Sequence, residues 1–463
     1  MTTTEAGNKP GFLKRMFGGG GSKETPPAPV PTPAEVKEAP KAKAASSEKR
    51  EKITIKPKTG TVSKSSSGTS KKSSLSETAK KSTPEKTTPP ALPEKNSEPV
   101  KPEEIEKKTA DLPGKSKSGD GEFGTDDDDK QTAASKPVTP EPPPATPSEV
   151  LPTNTKNTGW QVVKVSGRDY VTGESINNFY RFSSYKVDGK HVWLRSNNLI
   201  LKASIGSQEV LINNIKFILS FPVLESNGGA LFSRLDLCKL IDPVLRPTYI
   251  TDAEPFDTIV LDAGHGGHDA GARGVYGYEK DFALKMSLVV KDALQKKGFK
   301  VVLSRPIDSF VTLSGRVALA NATPRSIFIS LHFNSGGSAA TGIETFALTP
   351  QGSAASLERG GGFNYNGLTG NSHDSANIAL ATAVHAMVIS RFKFVDRGIK
   401  RAQWSVLTGC KRPGILFEGG FVTNGNECRL IASDTYRTSV ASAIADAVVN
   451  YRTALRGAMT KQR

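Results

Sequence analysis

Three apolar runs constrain what this chain can fold into, because each ends in glycine and each delivers a reactive side chain there. Thr258-Ile259-Val260-Leu261-Asp262-Ala263 leads into Gly264-His265-Gly266-Gly267; Ser326-Ile327-Phe328-Ile329-Ser330-Leu331 leads into His332; Pro413-Gly414-Ile415-Leu416-Phe417 leads into Glu418 and Gly419-Gly420. Short apolar runs bounded by turn residues read as strands of a parallel sheet covered on both faces. Side chains just past the carboxyl ends of such strands stand where open α/β sheets bind ligands. Tyr278-Glu279-Lys280-Asp281 opens the helix after the first loop and carries Glu279 back over the same edge. If the strands are neighbours, two imidazoles and two carboxylates meet in one crevice. That is the donor inventory of a zinc site with one position left for water and a carboxylate free to take a proton.

The surrounding rhythm agrees. From Phe256 onward strand and helix patterns alternate: strands at 258–263, 300–304, 326–331, 344–348 and 415–418, helices at 280–296, 312–321 and 375–391, and a closing helical region at about 427–455. This predicts an α/β domain over residues 256–463, a mostly parallel twisted sheet flanked by helices. Before it, residues 156–250 mix short strand-like segments with a helix around 175–182 and another around 233–241, which predicts a small α+β accessory domain. Residues 1–155 hold most of the thirty prolines and tracts such as Ser65-Ser66-Ser67 and Pro142-Pro143-Pro144. Such a segment cannot bury enough apolar surface to fold, and it reads as a disordered Pro/Lys/Ser-rich tether.

The net charge of +16 sits mainly in the folded part: residues 1–150 carry 26 Lys and Arg against 22 Asp and Glu, and the remainder 36 against 24. A basic folded surface suits an anionic polymer or a membrane surface. No aromatic-basic RNA-binding signature and no finger spacing accompanies it, which argues against nucleic acid. Cys238, Cys410 and Cys428 are odd in number and widely spaced, so they define neither a disulfide framework nor a metal motif. No run approaches the roughly 18 apolar residues of a membrane span. The amino terminus has Lys14-Arg15 and Gly11-Phe12-Leu13 but no hydrophobic signal core. Asp126-Asp127-Asp128-Asp129-Lys130 resembles an engineered enteropeptidase site, although an acidic-basic linker also produces such a run.

A histidine after a strand is usually structural, and it is convergence that makes His265 a candidate ligand, since a carboxylate buried beside it without a partner would be costly unless a metal or a reaction uses it. The glycines around His265 also permit an anion-cradling turn, yet the run is neither GxGxxG nor a P-loop, and the helix starts only at about Glu279. His268, three residues from His265, could compete for a metal, while His191, His373 and His385 have no evident partners.

Taken together, Ile259 to Gly267, Asp269, Gly271, Glu279-Lys280-Asp281, Leu313 with Arg316 and Ala320-Asn321, Ser330 to Asn334, Asp396-Arg397-Gly398, and Leu416 to Phe421 with Asn424 closely resemble the zinc-dependent N-acetylmuramoyl-L-alanine amidases of bacterial cell-wall turnover. The resemblance runs from Thr258 almost to the end. It implies one zinc ion held by His265, Glu279 and His332, with Glu418 as catalytic carboxylate. It also implies hydrolysis of the amide between the lactyl group of N-acetylmuramic acid and L-alanine, with Asn334, Arg316 and Arg397 as candidate substrate-binding residues. Peptidoglycan, an envelope activator or regulator, and a periplasmic or envelope location follow from the same likeness. The accessory segment is similar in pattern to the small domain in front of copper amine oxidases and in some bacterial envelope proteins, which suggests support or wall binding.

Some members of this family carry an inserted helix between the second histidine and the catalytic glutamate that plugs the zinc. Residues 351–373 are rich in Gly, Asn and Ser with no helical period, so a constitutively open site is expected here, restrained by the tether or the accessory domain. The alternatives are a non-catalytic peptidoglycan-binding protein, against which all four critical positions are filled, and a zinc carboxypeptidase, against which no His-x-x-Glu pair begins at His265.

Overall fold

The computed structural model describes residues 151–152 and 159–459. The tether and the acidic run at 126–130 therefore lie outside the described residues, except for Leu151-Pro152, where the Pro152 carbonyl accepts a hydrogen bond from Trp160 Nε1.

The accessory part begins with β1 (Val162–Val165), β2 (Arg168–Thr172) and α1 (Gly173–Tyr180), whose N-terminus is capped by the Thr172 hydroxyl accepting from the Ser175 amide. Five strands follow as an antiparallel meander, β3 (Ser184–Asp188), β4 (His191–Ser196), β5 (Leu199–Ser204), β6 (Glu209–Ile212) and β7 (Ile215–Ile218). A hairpin of β8 (Leu224–Ser226) and β9 (Gly229–Ser233) pairs with β2, and helical turns run on from Arg234 to Leu245. Strands β4 to β7 bury alternate residues, which is the pattern of a sheet covered on one face.

The carboxyl-terminal part contains β10 (Thr258–Ala263), a small hairpin of β11 (Arg273–Gly274) and β12 (Gly277–Tyr278), α2 (Glu279–Lys296), β13 (Lys300–Leu303), α3 (Leu313–Ala322), β14 (Ser326–Asn334), β15 (Ile343–Leu348), α4 (Asp374–Arg391), β16 (Asp396–Ala402), β17 (Gly414–Phe421), α5 (Gly425–Ile431) and α6 (Asp434–Met459). Every residue of β10 and β15 is buried. Ile259 and Leu261 enter the main core with α2, α4 and α6, whereas Val260 joins a smaller cluster with Phe328, Phe346 and Leu416 on the other face. Burial on both faces explains why β10 reads as a continuous apolar run. The closing helical region divides at Ala432-Ser433, because the Ser433 hydroxyl accepts from the Tyr436 amide and starts a new helix.

The sheet order is β13-β10-β14-β17-β15-β16-β7-β6-β5-β4-β3. Strands β13, β10, β14 and β17 are parallel, but β15 runs antiparallel to β17. Over residues 256–463 the sheet is mostly parallel as expected, β15 and β16 being parallel to each other as well, and the β15–β17 pairing is its antiparallel step. Only residues 335–342 separate β14 from β15, too few for the crossover that a parallel return requires.

One sheet spans both segments. Ile399 on β16 pairs with Phe217 on β7, and the Lys216 amide donates to Asp396 Oδ2 at 2.9 Å. Further along, Arg401 donates to the Lys239 carbonyl, Lys239 Nζ lies 3.0 Å from Asp374, and the Asp252 carboxylate accepts the Ser375 and Ala376 amides at the start of α4. These buried or half-buried contacts tie the helical turn at Lys239 to β16 and to Asp374, and the segment at Asp252 to the first turn of α4.

Candidate active site

The parallel register of β10, β14 and β17 places the carboxyl ends of all three strands together. His332 is the register partner of Glu418 across β14 and β17, and Glu344 is the partner of Glu418 across β17 and β15. His265 stands two residues beyond the last residue of β10, and Glu279 is the first residue of α2.

Within this edge Glu279 Oε1 lies 3.1 Å from His265 Nε2 and 2.9 Å from His332 Nδ1. Its other oxygen accepts the Ala272 amide at 3.0 Å, and the Phe333 amide also reaches Oε1. Among the described residues His265, Glu279 and His332 form a group able to hold a metal ion, with donor atoms all within 4.8 Å of one another. His265 Nδ1 is 2.9 Å from Asp269 Oδ1. That contact fixes the ring and leaves Nε2 for a ligand, the usual arrangement behind a metal-bound imidazole. Burial works against charge on His265, but Glu279 and Asp269 outweigh it and push its pKa up to about 9. Burial likewise opposes charge on Glu279, and the two imidazoles overcome it and hold its carboxyl well below the usual range.

The loop geometry is enforced from behind. His265 has φ +57°, a left-handed conformation that a residue with a side chain keeps only when its surroundings demand it. Arg305 donates to the carbonyls of Ala263 and Gly264, and Arg316 donates to those of Ala263 and His265 and to the buried Asp262 carboxylate. Gly264 lets the loop pass over the second imidazole: a Cβ there would stand 2.4 Å from His332 Cε1.

Arg316 is not placed to bind substrate. It was expected to touch substrate, yet it is 3% exposed with its guanidinium spent on backbone and Asp262, so it offers no face to a ligand. Asn334 is buried too: its Nδ2 donates to Glu344 Oε1 and its Oδ1 accepts from the Ser335 amide and Arg359. Arg397 is half-buried, pairs with Glu344 and lies over the Phe421 ring. His268 packs on Phe310 outside the donor group. His385 bridges Thr345 and Asp396, and His373 contacts the Asp252 and Lys411 carbonyls. Asp269, Arg305 and Glu344 were missed as parts of the site, although Asp269 sits four residues after His265, a spacing that could have suggested an orienting partner.

Glu418 differs from every other carboxylate here. Its Oε2 is enclosed and has no hydrogen-bond partner. Burial raises its pKa well above the ordinary range, and the negative charges of Glu279 and Glu344 add to that, against Arg359 and Lys400. Residues 351–373 contain the short 3-10 segments Glu358–Gly360 and Thr369–His373 and a bridge between Ala354 and Phe363, with no longer helix.

The described residues thus bring a two-imidazole, one-carboxylate group that could hold a metal ion to the carboxyl edge of an α/β sheet, with an unpartnered glutamate oxygen beside it. Residues 259–450 match the family described as N-acetylmuramoyl-L-alanine amidase. The chain is 34% identical over 201 residues to the uncharacterized protein YqiI of Bacillus subtilis, covering 43% of this chain and 87% of that protein. It is 31% identical over 196 residues to the N-acetylmuramoyl-L-alanine amidase LytC of the same organism, covering 42% of this chain and 35% of LytC. Among solved structures, the catalytic domain of the amidase CwlV from Bacillus (Paenibacillus) polymyxa is 31% identical, with a TM-score of 0.36 over 42% of this chain and 98% of that one. The chain belongs to the N-acetylmuramoyl-L-alanine amidase family, and its activity is the hydrolysis of that amide in peptidoglycan.

Proposed function

We propose that His265, Glu279 and His332 hold one zinc ion and that Glu418 moves the proton when the bond between the lactyl group of N-acetylmuramic acid and L-alanine is cut. The observation that carries this reading is Glu418 Oε2, a buried carboxylate oxygen with no partner, on the residue registered opposite His332. A group left this way is destabilising unless a ligand or a reaction uses it. The donor set of two nitrogens and an oxygen suits zinc, and Gly264 keeps the space beside His332 clear. When bound, zinc supplies Lewis acidity that polarises a carbonyl and lowers the pKa of water towards about 7.

The residues of the chain do the rest. Asp269 holds the His265 ring, and Arg305 with Arg316 holds the backbone that presents it. Glu418 accepts a proton from the attacking water and returns it to the departing amine of L-alanine, work worth roughly 10²- to 10⁴-fold. Burial and the neighbouring carboxylates favour the protonated form of Glu418, which suits the donating half of that cycle. Arg397 contributes to substrate binding, and Asn334 anchors Glu344, with which Arg397 pairs.

Peptidoglycan places the work on the wall side of the cell, and no helix among the described residues is long and apolar enough to cross a membrane. Residues 156–250 act as a support for the catalytic sheet, a role favoured by the pairing of β7 with β16. The test is digestion of purified muropeptides with and without a chelator, with products identified by mass. Free stem peptide plus sugar, lost on chelation and restored by zinc, supports the reading. A shortened peptide, or no product at all, overturns it.

A further inference from the structure

Next to Glu418, three cationic side chains converge on one carboxylate. Glu344, on β15, is 1% exposed. Lys400 Nζ lies 2.5 Å from its Oε2, Arg397 Nε 3.4 Å from the same oxygen, and Arg359 3.9 Å from Oε1. Even with Glu418 counted as a full negative charge, the cluster keeps one positive charge in excess.

The three cations are not equivalent. The Lys400 side chain is 10% exposed and is committed to Glu344, whereas Arg397 and Arg359 keep 37% and 49% of their side chains accessible. Both polar contacts of Arg397, to Glu344 and to the Thr341 carbonyl, are long at 3.4 Å. Its guanidinium is nonetheless held in place, 4.9 Å over the Phe421 ring, with its stem against Gly342. Arg359 comes from the 351–373 loop and is steered by Asn334 Oδ1 at 3.2 Å. Two oriented, partly exposed guanidinium forks with an unbalanced charge are built to take a carboxylate, which they bind through paired charge-assisted hydrogen bonds.

We propose that Arg359 and Arg397 form a carboxylate subsite on the β15–β16 side of the active site, which recognises a free carboxylate of the stem peptide close to the cleaved amide. Glu344 and Lys400 are positioning residues for it. The inference rests on the amidase reading above, and chemistry fixes the direction: the peptide side of the scissile bond carries carboxylates, while the sugar side carries hydroxyl and acetamido groups. The substrate then lies with its peptide over β15 and β16, and the arginine from the 351–373 loop gives that loop a part in selecting substrate.

The experiment uses the full-length, zinc-loaded protein and two synthetic N-acetylmuramoyl peptides that differ only in whether the carboxyl group of the residue next to L-alanine is free or amidated. The acid should exceed the amide in kcat/KM by about tenfold to hundredfold. Arg359→Gln/Arg397→Gln should bring that ratio close to one, and Arg359→Gln alone, on the more exposed side chain, should lower it part of the way. Zinc content and melting temperature verify that each variant is folded. Equal rates on both substrates for the unmodified protein, or a ratio that survives both substitutions, would overturn the subsite while leaving the amidase reading intact. Failure to cut either substrate would overturn both.

Discussion

Replacing Glu418 with glutamine separates function from stability. Loss of a general acid–base of this kind costs roughly 10²- to 10⁴-fold in rate, equivalent to about 3–5 kcal/mol of transition-state stabilisation. The fold responds in the opposite sense. Oε2 has no partner, and Glu279 and Glu344 add negative charge nearby, so the wild-type carboxylate is itself a source of strain. Leaving such a group buried typically costs about 1–3 kcal/mol. An amide of the same shape removes the charge although it keeps some unmet hydrogen-bonding capacity, so only part of that penalty is recovered. The metal-free variant should therefore melt at the same temperature as the wild type or up to a few degrees higher, at about 2–4 °C per kcal/mol. Metal-free protein is the right sample because zinc binding adds its own stabilisation. The assay pairs kcat/KM on a soluble muropeptide with a melting curve. Activity within tenfold of wild type, or a melting temperature several degrees lower, would refute the placement of Glu418 as a buried, unsatisfied proton carrier.

Gly264→Ala puts a methyl group 2.4 Å from the His332 ring, and zinc affinity measured against a chromophoric chelator should fall roughly 10- to 100-fold with the fold retained; unchanged affinity would contradict the site geometry. Arg316→Met strands the Asp262 carboxylate, which is fully buried, and should lower stability to urea by about 3–5 kcal/mol, whereas a variant with wild-type stability and altered KM would restore Arg316 as a substrate residue. A chain starting at Phe256 loses the strand paired with β16 and the lysine paired with Asp374, so it should melt about 6 °C or more below the full-length protein. Equal melting temperatures would show that residues 156–250 are an independent body.

The legible parts of the sequence were those where burial leaves a periodic trace. β10 was readable to the residue because both its faces are covered by apolar layers, and α2 because its apolar stripe ends at Lys297-Gly298. β16 was not readable. Asp396-Arg397-Gly398-Ile399-Lys400-Arg401-Ala402 looks like a charged turn, yet Lys400 and Arg401 are buried because Glu344 and the carbonyls of Leu348 and Lys239 meet them from neighbouring elements. A partner more than fifty positions away leaves no local signal. The same reason hid Glu344, a lone acidic residue in an apolar strand, and misplaced Arg316, whose pairing with Asp262 depends on how α3 crosses the sheet. His265, His332 and Glu418 were legible because three separate strands repeat the same pattern of an apolar run, a reactive side chain and glycine.

The central claim is that two imidazoles and one carboxylate at this edge bind a single zinc ion. Anomalous diffraction at the zinc absorption edge from crystals of the zinc-loaded protein tests it most directly. One peak is predicted, about 2.0–2.2 Å from a nitrogen of His265, a nitrogen of His332 and an oxygen of Glu279, with Glu418 outside bonding distance. A peak elsewhere, or one from which Glu279 stands away, would contradict the account.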